Sequence, residues 1–277
     1  MPDQPDQLAD DSASRFDQCG QTAHGPQTNI AGDVTGPVLS GDFRAPVHVG
    51  GQYITYTQVR PAPVDDATLA AAHALLAALP LDSLPDHAPL PAGSRMAHGR
   101  NPLFVGRAGD MKQLAAALKG GGVAAIGQIA AATGLGGIGK TQLAIEFAHR
   151  YGQYFAGGVF WLSLADPANA PTEVALCGGA GGMDLRADFG GLKFDEQLAA
   201  VMSAWQSPLP RLLIFDNCED EALLARWRPP TGGCRVLVTS RRDVWDAALG
   251  VQALALDVLP REESVALLRK FRSDLTH

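Results

Sequence analysis

The chain has 277 residues, 46% of them hydrophobic and 18% charged, with a formal net charge of −7. This suits one substantial domain with an appendage, or two small ones, and excludes wholesale disorder. The acidic balance speaks against sequence-independent nucleic-acid binding, which needs a basic footprint.

Residues 1–20 are acidic, with Asp3, Asp6, Asp10, Asp11 and Asp17 against Arg15, and they lack periodicity. That predicts a disordered tail and excludes a secretory signal, which starts basic and runs apolar. Cys19, Cys177, Cys218 and Cys234 form no C-x-x-C pair. Their spacing offers neither a zinc site nor a disulfide framework, and scattered thiols fit a reducing compartment. The most apolar stretch, Val123 to Leu135, is broken by Gly127 and Gln128. It is shorter than the about 20 apolar residues that a bilayer span takes. The expectation is a soluble, cytoplasmic protein with no membrane partner.

Over residues 21–62 a turn pattern recurs: Gly32-Asp33, Gly41-Asp42 and Gly51-Gln52, at steps of nine and ten residues. Between the turns lie β-prone pieces such as Pro46–Val49 and Tyr53–Thr57. A small β-meander or a few rungs of a β-solenoid is expected. Such a segment is either a stacking or oligomerisation module, or a Gly-rich arm that is packed on its own domain or partly disordered.

The next segment, 63–80, reads as a helix, with Asp65 and Asp66 placed to cap it and Leu69, Ala72, Leu76 and Leu79 in one apolar stripe. Prolines at 80, 85, 89, 91 and 102 then predict an extended linker over 81–103. From 104 to 277 helices and strands alternate. Helices are expected at 110–119, 140–154, 195–205, 221–227 and 261–271, and strands at 124–132, 158–165, 212–215, 235–239 and 251–256. Near-continuous apolar strands alternating with helices imply a parallel sheet covered on both faces.

Three motifs carry chemistry. Gly134-Leu-Gly-Gly-Ile-Gly139-Lys140-Thr141 satisfies G-x-x-x-x-G-K-[ST] between a buried strand and a helix. Its glycines let backbone N–H groups surround a phosphate at a helix N-terminus. Lys140 is placed to reach the β- and γ-phosphates, and the Thr141 hydroxyl to coordinate Mg²⁺. Arg211-Leu-Leu-Ile-Phe-Asp216-Asn217 is a buried strand delivering a carboxylate to the ligand edge of the sheet. Asp216 is then the outer-sphere Mg²⁺ partner, the alternative being a plain strand-end cap. Arg235-Val-Leu-Val-Thr239-Ser240-Arg241 ends in hydroxyls and a guanidinium at the same edge. Arg241 reads the γ-phosphate or is a solvated strand-end arginine.

Together these residues resemble the STAND class of P-loop ATPases and, within it, the NB-ARC domains of NLR-type and apoptotic signalling proteins. GLGGIGKT is similar to that family's phosphate loop, LLIFDN to its Walker B strand and VLVTSR to its sensor strand. Phe104-Val105-Gly106-Arg107 resembles the segment that lies against the adenine, and Leu259-Pro260-Arg261-Glu262-Glu263 the stretch after the fifth strand. The resemblance covers about 100–275. It implies a three-layer αβα domain with strand order 5-1-4-3-2, ATP or ADP as ligand and Mg²⁺ as cofactor. The implied nucleotide-binding residues are Val105, Gly106, Arg107, Gly134, Gly136, Gly137, Ile138, Gly139, Lys140, Thr141 and Gln142. Lys140, Asp216 and Arg241 act at the phosphates, and Thr141 and Asp216 hold the metal.

Two departures from the family pattern matter. Asn217 stands where the family usually has a second acid, and an amide cannot accept a proton from the attacking water. The chain also reaches His277 before any winged helix or sensing repeats, which implies a truncated form. The leading expectation is an ADP/ATP signalling switch with slow hydrolysis that self-associates when full length and acts on an unknown protein effector. The alternatives are an active ATPase, or a scaffold with a structural nucleotide and a β-repeat assembly module.

Overall fold

The computed structural model describes residues 47–49, 52–54, 64–120, 123–128, 137–242 and 244–272. The acidic tail and most of the Gly-Asp repeat lie outside the described residues. Two short strands of the repeat are described, Val47–Val49 (β1) and Gln52–Ile54 (β2). They pair antiparallel as a hairpin, His48 opposite Tyr53. This hairpin belongs to one unit of the chain and everything below to a second.

A strand buried on both faces must find a helix for each successive side chain. Five strands form one parallel sheet, Val123–Gln128 (β3), Val159–Ser163 (β4), Arg211–Asp216 (β5), Cys234–Thr239 (β6) and Val251–Leu256 (β7), with β5 the strand most completely buried among those whose burial is described. They pair in the order β4-β5-β6-β3-β7; numbered within the sheet and counted from the Val251 edge, this is 5-1-4-3-2. The alternation inside Leu212-Leu213-Ile214-Phe215 sets the layers. Leu212 and Ile214, with Trp161 and Leu237, face helices Asp66–Ala77 (α1), Ala108–Lys119 (α2) and Lys140–Tyr151 (α3). Leu213 and Phe215, with Phe160 and Val238, face helices Ala170–Leu176 (α4), Phe194–Trp205 (α5) and Glu221–Trp227 (α6). A last helix, Arg261–Phe271 (α7), buries none of its residues.

The Asp65 carboxylate caps α1, accepting from Thr68 N at 2.9 Å and Thr68 Oγ1 at 2.7 Å, and these bonds lower its pKa. Ala72, Leu76 and Leu79 enter the core, whereas Leu75 stays exposed. Helix α4 is an addition to the sequence expectation. Its seven residues, opened by Pro171 and followed by Gly178 and Gly179, are too few to establish a period.

The proline-rich stretch departs from the linker expectation. It is extended, but it packs against the domain as a strap. Arg150 Nη1 donates to Pro85 O at 3.0 Å, Gln153 Nε2 to Asp86 O at 3.0 Å and His149 Nε2 to His98 O at 3.0 Å. The His98 ring also lies edge-on 4.6 Å from Trp161. The buried Glu146 carboxylate accepts from His87 at 2.8 Å and Arg150 at 2.7 Å. Farther along, Arg95 N donates to Val159 O and Trp161 N to Arg95 O, both at 2.8 Å, so the strap covers the outer edge of β4. An exposed strand edge invites pairing with another chain, and backbone contacts of this kind block it. Composition marks prolines as extended; only tertiary contacts decide whether extended chain is packed.

If α1 and the strap are integral to the core, Leu79→Ala should destabilise the domain by about 2–5 kcal/mol, as measured by urea unfolding. A loss below about 0.5 kcal/mol, typical of a surface position, would show that they are peripheral.

Candidate nucleotide-binding site

In a parallel sheet all carboxyl ends share one edge, which is where ligands gather in such folds. At that edge α3 begins. Its N-cap, Gly139, has φ +95°, a left-handed backbone that glycine adopts freely, and Gly137 has φ +97°. Leu143 N donates to Gly139 O at 2.8 Å, closing the first turn. No side chain caps this helix and no acid lies in its first turn. Its orphan N–H groups therefore present partial positive charge beside Lys140, which is half-buried at the first helical position. Ile138 lies in the described part of the loop; Gly134 and Gly136 lie outside the described residues.

The second element reaches the same place from β5, whose residues from Arg211 to Phe215 are buried. Thr141 Oγ1 donates to Asp216 Oδ1 at 3.0 Å, joining residues 75 apart in sequence. Thr239 Oγ1, at the end of β6, donates to the same oxygen at 2.5 Å. It also accepts from Asn217 N at 3.0 Å. Asn217 has φ +63°, a region in which asparagine is among the best-tolerated side chains.

The segment from Asn101 to Arg107 closes on the loop from another side. Arg107 is buried at 8% exposure in a left-handed conformation of φ +62°. Its Nη2 donates to Ile138 O at 3.2 Å and its Nη1 lies 3.4 Å from Asp110. Asn101 Nδ2 donates to Gln142 Oε1 at 2.8 Å. Helix α7 holds the segment. Lys270 Nζ donates to Phe104 O at 2.9 Å and to Pro102 O at 3.3 Å, and Glu263 accepts from Arg107 N at 3.3 Å. Gly106 has φ +68°, and a Cβ there would come within 2.0 Å of the Glu263 carboxylate. Val105 is half-buried between these contacts.

Arg241 is placed differently. Its side chain is 74% exposed and pairs with Glu219 Oε1 at 3.2 Å. Glu219 also accepts from Ser240 Oγ at 3.2 Å and Arg241 N at 3.1 Å. Asp220 caps α6, accepting from Ala222 N at 2.8 Å. Burial raises the Cys177 thiol to about 12, Cys218 to about 11 and Cys234 to about 12, so all three stay protonated at neutral pH.

Among the described residues no three His, Cys, Asp or Glu side chains gather around a point. One hydroxyl and one carboxylate 3.0 Å apart nevertheless suit Mg²⁺, which takes few protein ligands and completes its octahedron with water and phosphate oxygens. From sequence, Lys270 and Asn101 had no part in the site, Glu263 was named only within the stretch after the fifth strand, and the Thr239 hydroxyl stood at the ligand edge without a partner. Thr239 had a signal, a hydroxyl ending a buried strand; the contacts of Glu263 and Lys270 span more than 150 residues and leave no local trace.

Gly106→Ala should lower stability by about 1–3 kcal/mol, because it adds left-handed strain to the clash with Glu263. Adding Glu263→Ala should recover part of this loss in thermal unfolding. No recovery would show that backbone strain alone sets the cost.

No family model matches the chain. It is 33% identical over 172 residues to the regulatory protein AfsR of Streptomyces coelicolor, covering 60% of this chain and 17% of that protein. The AfsR of Streptomyces griseus is 32% identical over 177 residues, covering 61% and 17%. Among solved structures, a signal transduction ATPase with numerous domains (STAND) carrying a tetratricopeptide repeat sensor, from Pyrococcus horikoshii, aligns with a TM-score of 0.40 at 22% identity. That alignment covers 68% of this chain and 28% of the other. The chain thus spans about a sixth of the length of the curated relatives it matches.

Proposed function

We propose that the chain is the nucleotide-binding part of a regulatory protein, an ATP/ADP switch of the STAND, NB-ARC type with slow hydrolysis. The observation that carries this reading is the hydrogen bond from Thr141 to Asp216 at 3.0 Å, beside an uncapped helix N-terminus and Lys140. A hydroxyl, a carboxylate, an ammonium and free N–H groups at one sheet edge meet the needs of a Mg²⁺-bound polyphosphate. In this reading Lys140 contacts the β- and γ-phosphates, and the N–H groups of the first turn of α3 hold the phosphate oxygens. Thr141 and Asp216 hold Mg²⁺, whose contribution when bound is to neutralise phosphate charge. The family resemblance and the regulatory role named for the Streptomyces relatives support the signalling part.

Slow hydrolysis follows from where the acids are engaged. Asn217 has no basic oxygen of carboxylate strength and Asp220 caps a helix, so the position directly after Asp216 supplies no general base for the attacking water. The γ-phosphate would compete with Glu219 for Arg241, so ATP and ADP would differ in what they do to the strand end. A ligand shifts a conformational equilibrium only through such differential contacts. Self-association on exchange to ATP and action on a protein effector belong to the same proposal.

Lys140→Ala should weaken ADP and ATP binding about a hundredfold in calorimetry while leaving nucleotide-free thermal unfolding unchanged. Unchanged affinity would overturn the reading. Turnover should lie far below the about 1–10³ s⁻¹ typical of enzymes, and several turnovers per second by the full-length protein would overturn the slow-switch part. Asn217→Asp, tolerated at a left-handed position, should raise turnover by up to about 10²-fold if the missing base is what limits it.

A further inference from the structure

The geometry points to Thr239 as the residue that positions the Asp216 carboxylate for Mg²⁺, an inference that rests on the nucleotide-binding reading above. Thr239 is 2% exposed, so its hydroxyl must find its partners inside the protein. The N–H of Asn217, 3.0 Å away, can only donate, so the hydroxyl accepts there. Its single proton is thereby directed to Asp216 Oδ1 at 2.5 Å, within the short range of a hydroxyl on a charged oxygen.

Thr141 donates to that same Oδ1 at 3.0 Å. Two hydroxyls on one oxygen leave Oδ2 without a hydrogen-bond partner among the described residues, which suits it to receive a metal-bound water. Torsion about the last bond of an aspartate side chain is soft and nearly two-fold. Thr141 alone, at the longer distance, is a weak constraint on the carboxylate plane. Thr239 supplies the tighter constraint, from a neighbouring strand rather than from the phosphate loop.

The backbone serves the same end. Cys218 N donates to Thr239 O at 3.0 Å, which carries the β5–β6 pairing past Phe215 and Val238. The left-handed turn at Asn217 aims its N–H at the Thr239 hydroxyl. The same corner that places asparagine after the metal-binding aspartate therefore fixes the direction of the threonine proton.

Thr239→Val keeps the shape and removes the hydroxyl. Affinity of the full chain for ADP is measured by calorimetry with Mg²⁺ and with EDTA. The expected result is that the Mg²⁺-dependent gain in affinity falls about tenfold while the affinity in EDTA stays within about twofold, with Thr239→Ser restoring the gain. If valine unfolds the domain, Thr239→Cys, whose thiol is only a weak donor, gives the same comparison. An unchanged Mg²⁺ dependence overturns the inference, as does an equal fall of both affinities, the mark of a merely structural role. A wild-type chain that binds no ADP overturns the nucleotide reading and the inference with it.

Discussion

One carboxylate oxygen organises the ligand edge of this domain. Asp216 closes a strand whose five preceding residues are buried, so its charge sits at the rim of an apolar slab and needs donors. The hydroxyls of Thr141 and Thr239 supply them, one from the first turn of α3 and one from the end of β6. Three segments distant in sequence are thereby held at a common point. Remove the acid and the two hydroxyls lose the acceptor they share. The rest of the site is built outward from this junction, through the helix N-terminus on one side and the Asn217 corner on the other.

The parts legible in the sequence share a cause, which is that local pattern and tertiary demand coincide. The apolar runs Leu212–Phe215 and Val236–Val238 are fully interior strands because each residue meets one of two packed faces. Helices Glu221–Trp227 and Arg261–Phe271 start at Asp220 and Pro260, residues whose chemistry marks a beginning. The start of α3 at Gly139-Lys140-Thr141 could be read because a glycine at positive φ before a helix is marked in local composition.

What escaped has the opposite character. The strap is extended, as its prolines require, yet its role depends on Glu146, Arg150 and the edge of β4, none of which is marked in the strap itself. Helix α4 was hidden by its shortness. Arg241 was open between a phosphate contact and a solvated strand-end arginine, and its partner here, Glu219, lies 22 residues upstream with no mark in the strand itself. Glu263 is the clearest case. Its carboxylate fills the space where a side chain at residue 106 would stand, so the glycine there answers to a helix more than 150 residues away.

That last contact ties α7 to the loop before α3. Helix α7 buries none of its residues, yet Lys270 grips the carbonyls of Pro102 and Phe104, and Glu263 meets Arg107 N. Arg107 in turn bonds the carbonyl of Ile138 in the loop itself. Two side chains link α7 to the 102–107 segment and one passes from that segment to the loop. A shift of α7 by an ångström or so would strain both ends of the 102–107 segment at once, and the guanidinium would carry that strain to the loop. The helix with the weakest grip on the core thus reaches the loop before α3 through a single arginine.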